Sequence, residues 1–175
     1  HPGELNWGTG AAGGMWHLAI LNIFNAAGIS GNVVPNSGGG TSVGLALANG
    51  DIDVAVFSPV DCMAQIDANQ IVPIASMTEE RLEALPDVPT AKESGYDVVT
   101  MSTRGYLAPK GTPADVVAIL EDAIKQAVES DTYQNFIASQ QSNVFYLNGA
   151  DYYDFMTGEV DTYVPLLQQA GLAKK

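Results

Sequence analysis

From Leu5 to Gly50 the chain carries no Asp, Glu, Lys or Arg, and that stretch holds eleven of its eighteen glycines. In a protein where seven Lys and Arg face twenty Asp and Glu, a segment this long without a carboxylate narrows the possible folds. Such segments form packed layers in α/β cores, where strands covered on both faces read as short apolar runs. They also suit a site for an anion, because nothing in them repels one. Both readings stand at this point.

With 46% hydrophobic residues over 175 positions, there is material for one medium domain or two small ones with a real core. A net charge of −13 argues against a reader of phosphate backbones and against a polybasic membrane patch. No run approaches the roughly 18 uninterrupted apolar residues of a spanning helix, and the opening residues lack the basic, apolar, small-residue order of an export signal. The single cysteine, Cys62, sits among Val60, Met63 and Ala64 and reads as a packed thiol without a disulfide partner.

Short apolar runs alternate with helical periodicity, the signature of an α/β fold. A strand over 5–7 leads into a glycine loop, 8–14, and then a helix with Trp16, Ile20, Ile23, Phe24 and Ala27 on one face and Gly28 as its stop. A second strand over 32–35 enters the glycine turn 36–40. Thr41 is placed to start a helix through Leu45 and Leu47, which Asn49 and Gly50 end. The pattern then predicts a strand over 52–57, a short helix over 59–68 and a fourth strand over 71–76.

Residues 79–95, rich in acids, prolines and turn formers, are expected to run over the surface with at most short helices. Residues 98–108 read as one long extended segment. Thr112, Pro113 and Asp115 then supply an N-cap, a first-turn proline and an acid at N3 for an amphipathic helix. Its inward face carries Val116, Val117, Leu120, Ile124 and Val128. A shorter helix over 133–139, a strand over 144–147 and a last helix from about Asp151, kinked at Pro165, complete the chain.

Gly8, Gly10 and Gly13 spell G-x-G-x-x-G between a strand and a helix, the dinucleotide-binding pattern in its required context. The acid expected about 20 residues on for the ribose is absent, and so is any cation for a 2′-phosphate. What remains is more general. A glycine loop at a helix start leaves backbone N–H groups unpaired at the positive end of the helix dipole, which attracts a carboxylate or phosphate. The chain has two such loops, 9–14 and 37–41, each after a strand, and tight turns needing positive φ are the competing explanation for both.

His17 lies one turn into the first helix, where it can donate to an anion, hold the loop's carbonyls or simply be packed. Arg104, one of seven cations, lies in an extended segment from which it can bind a carboxylate bidentately or form a surface ion pair. There is no G-x-S-x-G elbow, no H-E-x-x-H and no Walker sequence, and two histidines do not make a multi-histidine metal site. Neither a cofactor nor a metal is expected.

The run Pro2-Gly3-Glu4-Leu5-Asn6-Trp7, the glycine loop and His17-Leu18-Ala19 together resemble the Bug-type substrate-binding receptors of tripartite tricarboxylate transporters. So do Val34-Pro35 with its glycine turn and the run Leu85-Pro86-Asp87-Val88-Pro89-Thr90 with Glu93 and Gly95. Arg104-Gly105 and Ala108-Pro109-Lys110-Gly111-Thr112-Pro113 follow in the family's order. The resemblance implies an α/β fold of the type II periplasmic-binding-protein kind. Residues 1–97 would form a nearly complete second lobe, and 98–175 a crossing strand with the C-terminal part of the first lobe, whose remainder has no counterpart here.

The same resemblance implies a non-enzymatic extracytoplasmic or periplasmic receptor that binds a small organic carboxylate, a di- or tricarboxylate or an acidic amino acid, and presents it to membrane transporter subunits. Its ligand contacts would fall on Thr9, Gly10, Ala11 and Gly13, on Gly38, Gly39, Gly40 and Thr41, and near Ser58, with His17 and Arg104 assisting. Ala11 and Gly14 stand where relatives often have more polar residues, and Asn36 where an aromatic is frequent. A nucleotide-dependent enzyme using the Gly8 loop and a stand-alone effector-sensing domain are the alternatives. An incomplete first lobe is also expected to expose apolar surface and a strand edge around 98–107, and so to self-associate.

Overall fold

Gly8 decides how the sheet is built. In the computed structural model, which describes residues 3–140 and 142–173, Asn6–Thr9 forms the first strand, β1. Pro2 of the opening motif lies outside the described residues. Strands β2 (Asn32–Pro35) and β3 (Val54–Ala55) pair with β1 on either side, both parallel, in the order β2-β1-β3. A Cβ at Gly8 would run into the Ile52 side chain and come within 3.2 Å of Val43, so a bare backbone in the central strand lets these two buried residues pack onto it.

Helix α1 (Met15–Ala27) connects β1 to β2 and α2 (Gly39–Asn49) connects β2 to β3. Parallel neighbours require crossovers of this kind. His17, Ala19 and Ile20 of α1 are buried; Phe24 sets its ring edge against Trp7 at 5.0 Å and 89°. Gly28 and Gly50 close the two helices in the left-handed region, φ 62° and 78°, and their N–H groups donate back into the last turn. Helix α2 starts at Gly39, so Thr41 lies inside its first turn rather than at its start. The early start follows from the turn: Asn36 Oδ1 accepts from the Gly38 N–H at 2.8 Å, and Gly39 adopts φ 75°.

Residues 59–68 divide into a 3-10 turn, Pro59–Asp61, and a short helix α3 (Met63–Asp67), separated by Cys62. Cys62 is buried, and burial together with the Asp61 charge pushes its thiol up to about 11, the state of an unreactive packed thiol. The expected strand over 71–76 does not form. Pro73 cannot donate to a ladder, Val72 and Ile74 stand 79% and 73% exposed, and Ser76 alone makes a single parallel bridge to Thr90.

Residues 79–95 contain no helix. A reciprocal capping pair holds them: Thr90 Oγ1 accepts from the Glu93 N–H at 3.1 Å, and Glu93 Oε2 accepts from the Thr90 N–H at 2.8 Å. Arg81 Nε donates to both Glu93 oxygens and its Nη1 to the Pro86 carbonyl, so the Pro-Asp-Val-Pro-Thr run is tied at both ends.

The chain divides into two compact units. One runs to Met101 and includes the chain from Thr162 onward; the other is Ser102–Asp161. Among the described residues, every buried apolar side chain, from Ala19 through Val98 to Tyr163, belongs to the first. There Tyr163 Oη donates to Thr100 Oγ1 at 3.0 Å, and Asn22 Nδ2 of α1 donates to the same oxygen at 3.2 Å.

The second unit holds α4 (Ala114–Glu129), α5 (Asp131–Ser139) and most of α6 (Gly149–Gln169), which continues through Pro165. The cap of α4 falls on Pro113, with ψ 141°, one residue later than the expected Thr112, whose Oγ1 donates to the Pro109 carbonyl instead of capping. Neither the expected strand over 144–147 nor a strand over 98–107 forms. Val116, Val117 and Leu120 are exposed rather than inward, and Ile124 and Val128 are half-buried. For 102–107, 144–147 and α4 the reason is shared: among its described residues the second unit has no sheet for such strands to join or for the apolar face of α4 to cover.

Candidate functional site

Because β1, β2 and β3 are parallel, their C-terminal ends lie along one edge of the sheet, and the loops after them leave from that edge. The fold therefore gathers Thr9, Gly10, Ala11, Gly13 and His17, then Gly38, Gly39, Gly40 and Thr41, and finally Ser58, within the first unit. Arg104 is exposed and belongs to the second unit.

Thr9 ends β1. Its side chain is fully buried and its Oγ1 has no hydrogen-bond partner, an uncompensated polar atom at the root of the first loop. Beyond it Gly13 adopts φ 74°, and the Gly14 N–H donates to the Ala11 carbonyl at 3.0 Å. The Gly13 N–H donates to Nδ1 of His17 at 3.1 Å. His17 thus holds an amide of the loop, not its carbonyls. Burial lowers the imidazole pKa, so His17 is neutral with its hydrogen on Nε2.

The second loop is tied to the first by Asn36, whose N–H is shared between the Thr9 carbonyl at 2.8 Å and the Gly10 carbonyl at 3.2 Å. Its side chain meanwhile closes the turn onto Gly38. Asn36 is therefore the hinge pin between the two loops. The asparagine-then-glycines order was a visible signal for this, since Asn side chains close such turns onto the backbone.

Helices α1 and α2 begin alike. Each has glycine at the cap, no side-chain cap and no acidic residue in its first turn. Helices α4, α5 and α6 each carry an acid there, Asp115, Asp131 and Asp151 respectively, and Ser130 also caps α5. An acidic protein has compensated the starts of three helices with its own carboxylates and left α1 and α2, on the sheet edge, without one in sequence, as it does the five-residue α3. Their first-turn N–H groups and dipole ends face the loop side with no local anion.

One anion does arrive from elsewhere in the chain. Ser58 starts the 3-10 turn and its carbonyl accepts from the Asp61 N–H at 3.0 Å, which brings the Asp61 carboxylate onto Gly40 in the first turn of α2. A Cβ at Gly40 would overlap that carboxylate. Sequence reading passed over Asp61. The spacing Ser58-Pro59-x-Asp61, which forms a tight turn carrying an acid at its end, was the available signal.

The three glycines of the G-x-G-x-x-G pattern have other duties: Gly8 clears Ile52, Gly13 supplies positive φ, and Gly10 has only an ordinary 3.7 Å neighbour in Trp16. A hollow of about 280 Å³ borders the site at Asn36, with Val34, Pro35 and Val43 in its wall. Its one charged side chain is the acid Asp51, which suits it poorly to an anion. Among the described residues no cluster of three His, Cys, Asp or Glu could hold a metal ion, and no helix is long and apolar enough to cross a membrane.

The model of a family described as the tripartite tricarboxylate transporter family receptor matches residues 1–172. A UPF0065 protein from the gbd 5′ region of Cupriavidus necator is 28% identical over 99% of this chain, and Protein BugT of Bordetella pertussis is 23% identical over 99%. Each alignment covers 53% of the relative, so the chain spans about half the length of these curated relatives. Among solved structures, a TctC solute-binding protein from Polaromonas superposes with a TM-score of 0.82 at 26% identity, covering 95% of this chain and 58% of that one.

Two more solved structures share the fold. A protein of Rhodopseudomonas palustris determined with adipate gives a TM-score of 0.79 at 24% identity, over 98% of this chain and 57% of that one. MatC from the same organism, with bound malate, gives 0.60 at 23% identity, over 79% and 47%. The fold is thus the α/β architecture of periplasmic solute-binding proteins, present in part, and the family is one of receptors and not of enzymes. The chain belongs to the tripartite tricarboxylate transporter receptor family.

Proposed function

We propose that this chain recognises a small organic carboxylate through backbone amides at the starts of α1 and α2. The observation that carries the reading is the pair of helix starts on one sheet edge that lack the first-turn acid found on α4, α5 and α6. The buried Thr9 Oγ1 without a partner supports it, since a ligand or its water would satisfy that oxygen. Thr9, Gly10 and Ala11 take the ligand carboxylate, Gly39, Gly40 and Thr41 contact the rest of the molecule, and Ser58 borders it, while Gly13 and Gly38, whose N–H groups are given to His17 and Asn36, shape the two loops. His17 acts on the ligand through the loop that it holds.

On this reading residues 1–97 act as the second lobe of a two-lobed periplasmic receptor and 98–175 as a part of the first, and the loaded receptor delivers its acid to membrane transporter subunits. The adipate and malate held by two proteins of the same fold suggest the ligand class. A thermal-shift screen of di-, tri- and hydroxycarboxylates and acidic amino acids tests it. Stabilisation by at least one acid, growing with concentration to about 2.7 kcal/mol at 100 times its Kd, is the expected result. No response to any acid in the set would overturn the reading.

A further inference from the structure

Resting on the carboxylate-binding reading, we propose that His17 is a positioning residue that gates the site with a proton: the first loop holds a carboxylate only while the His17 imidazole is neutral. The gate is one hydrogen bond. Nδ1 of the buried His17, the third residue of α1, accepts from the Gly13 N–H at 3.1 Å. The next amide, that of Gly14, donates to the Ala11 carbonyl at 3.0 Å, so two consecutive loop amides are spent on the loop's own shape. Among the described residues, the N–H groups of Gly10, Ala11 and Ala12 are left without a partner. At the root of the same loop the fully buried Thr9 Oγ1 is also unpartnered, a second sign that this loop is completed by a ligand and not by the chain.

A proton on Nδ1 turns the acceptor into a donor and sets two N–H groups against each other across 3.1 Å. The imidazole and Gly13 then have to part, and the loop loses its fastener. Little else can titrate here. Helix α1 packs against β1 and β2, and all three lie with their loops in residues 5–50, where His17 is the one titratable side chain. From outside that stretch, Thr100 accepts from Asn22 of α1 and from the protonated Tyr163 hydroxyl. On the sheet edge, the Asp61 carboxylate lies against Gly40 of α2. Burial is the one cause that lowers the His17 pKa, with no charged group contributing. The attraction of an imidazolium for an anion works the other way, but it is screened by water at a loop whose Ala11 and Ala12 are exposed, while the clash of donors is direct. Ligand and proton are therefore linked through one side chain: a loop that needs neutral His17 to bind the acid releases the acid when His17 is protonated.

Malate and adipate, the acids held by two proteins of this fold, serve as probes. Isothermal titration of the wild-type chain from pH 8 to pH 4.5 is expected to give a constant affinity above pH 6.5 and, below the lowered imidazole pKa, a loss approaching about tenfold per pH unit. His17→Gln keeps an acceptor for Gly13 and cannot take a proton. It is expected to bind more weakly than the wild type at pH 8 and to lack the extra loss on acidification, while the titration of the acids themselves is common to both proteins. A wild-type profile that runs parallel to that of His17→Gln, or an affinity that rises on acidification, would overturn this inference and leave the carboxylate site standing. Binding of neither acid by the wild type at any pH would instead remove the underlying reading and the inference with it. Should the variant not fold, the His17 imidazole resonances of the wild type decide alone: malate is expected to lower their titration midpoint further, and an unchanged or raised midpoint would overturn the gate.

Discussion

The Gly13 N–H donates to Nδ1 of His17 across 3.1 Å, which makes a histidine one turn into α1 the fastener of the loop in front of it. This arrangement needs an unprotonated Nδ1, and burial holds the imidazole pKa below its ordinary 6.5. Because the folded pKa is depressed, the stabilisation is fully present above the unfolded value of 6.5 and is lost as pH falls from there through the lower folded value. Thermal denaturation followed from pH 8 to pH 5 should show this slope in the wild type and not in His17→Phe. A His17→Phe profile with the same slope would place its origin elsewhere. The variant itself should lose about 1–3 kcal/mol, the cost of stranding a partly buried donor.

Tyr163 Oη and Asn22 Nδ2 converge on Thr100 Oγ1, joining the end of α6 to α1 inside the first unit. Tyr163→Phe keeps the ring in its buried place and removes only the hydroxyl, so a loss of about 1 kcal/mol is expected in urea denaturation, with an unchanged m-value. No loss would show that Thr100 satisfies itself without Tyr163.

Thr90 and Glu93 cap each other, and Thr90 is buried. Thr90→Ala should cost about 1 kcal/mol. The hydrogen bond from Arg81, followed by that from the Thr90 amide, holds the Glu93 carboxyl below its usual 4.5. Its contribution is present above the unfolded value and disappears as pH falls below 4.5 through the folded value. A Glu93→Gln variant whose stability profile below pH 4.5 matches the wild type would contradict this.

The second unit exposes Tyr106, Leu107, Ile119, Phe136 and Tyr153, all more than half accessible. Apolar surface of this extent drives association. Sedimentation of the chain should reveal concentration-dependent oligomers, reduced by the pair Leu107→Glu and Ile119→Glu. A compact monomer at high concentration would argue that this surface is tolerated in water.

The glycine punctuation made the first unit legible. Gly28 and Gly50 end helices where the sequence places their stops, and the strands 32–35 and 54–55 fall in or within their expected spans. What failed was strand prediction away from that sheet. Residues 71–76 and 144–147 have strand-like composition, but a ladder needs a partner: Pro73 removes a donor in one, and no sheet exists for the other among the described residues of its unit. The inward face of α4 failed for the same reason, since periodicity reveals an apolar stripe and not whether anything covers it. At the site, the loops were readable because unpaired amides follow from glycine and the absence of acids. Asp61 was not, because its position over Gly40 is a tertiary relationship between residues twenty-one apart in sequence.

The central claim is that first-turn amides on the sheet edge bind a carboxylate, and proline at the first helical position tests it most directly. Met15→Pro removes one amide at the start of α1, where proline is tolerated and the preceding Gly14 is already extended at ψ 173°. Calorimetric titration with the best acid from the screen should give one-to-one binding by the wild type and an affinity lower by about tenfold in Met15→Pro, about 1.4 kcal/mol, with thermal stability retained. Equal affinity in the two proteins would contradict the claim.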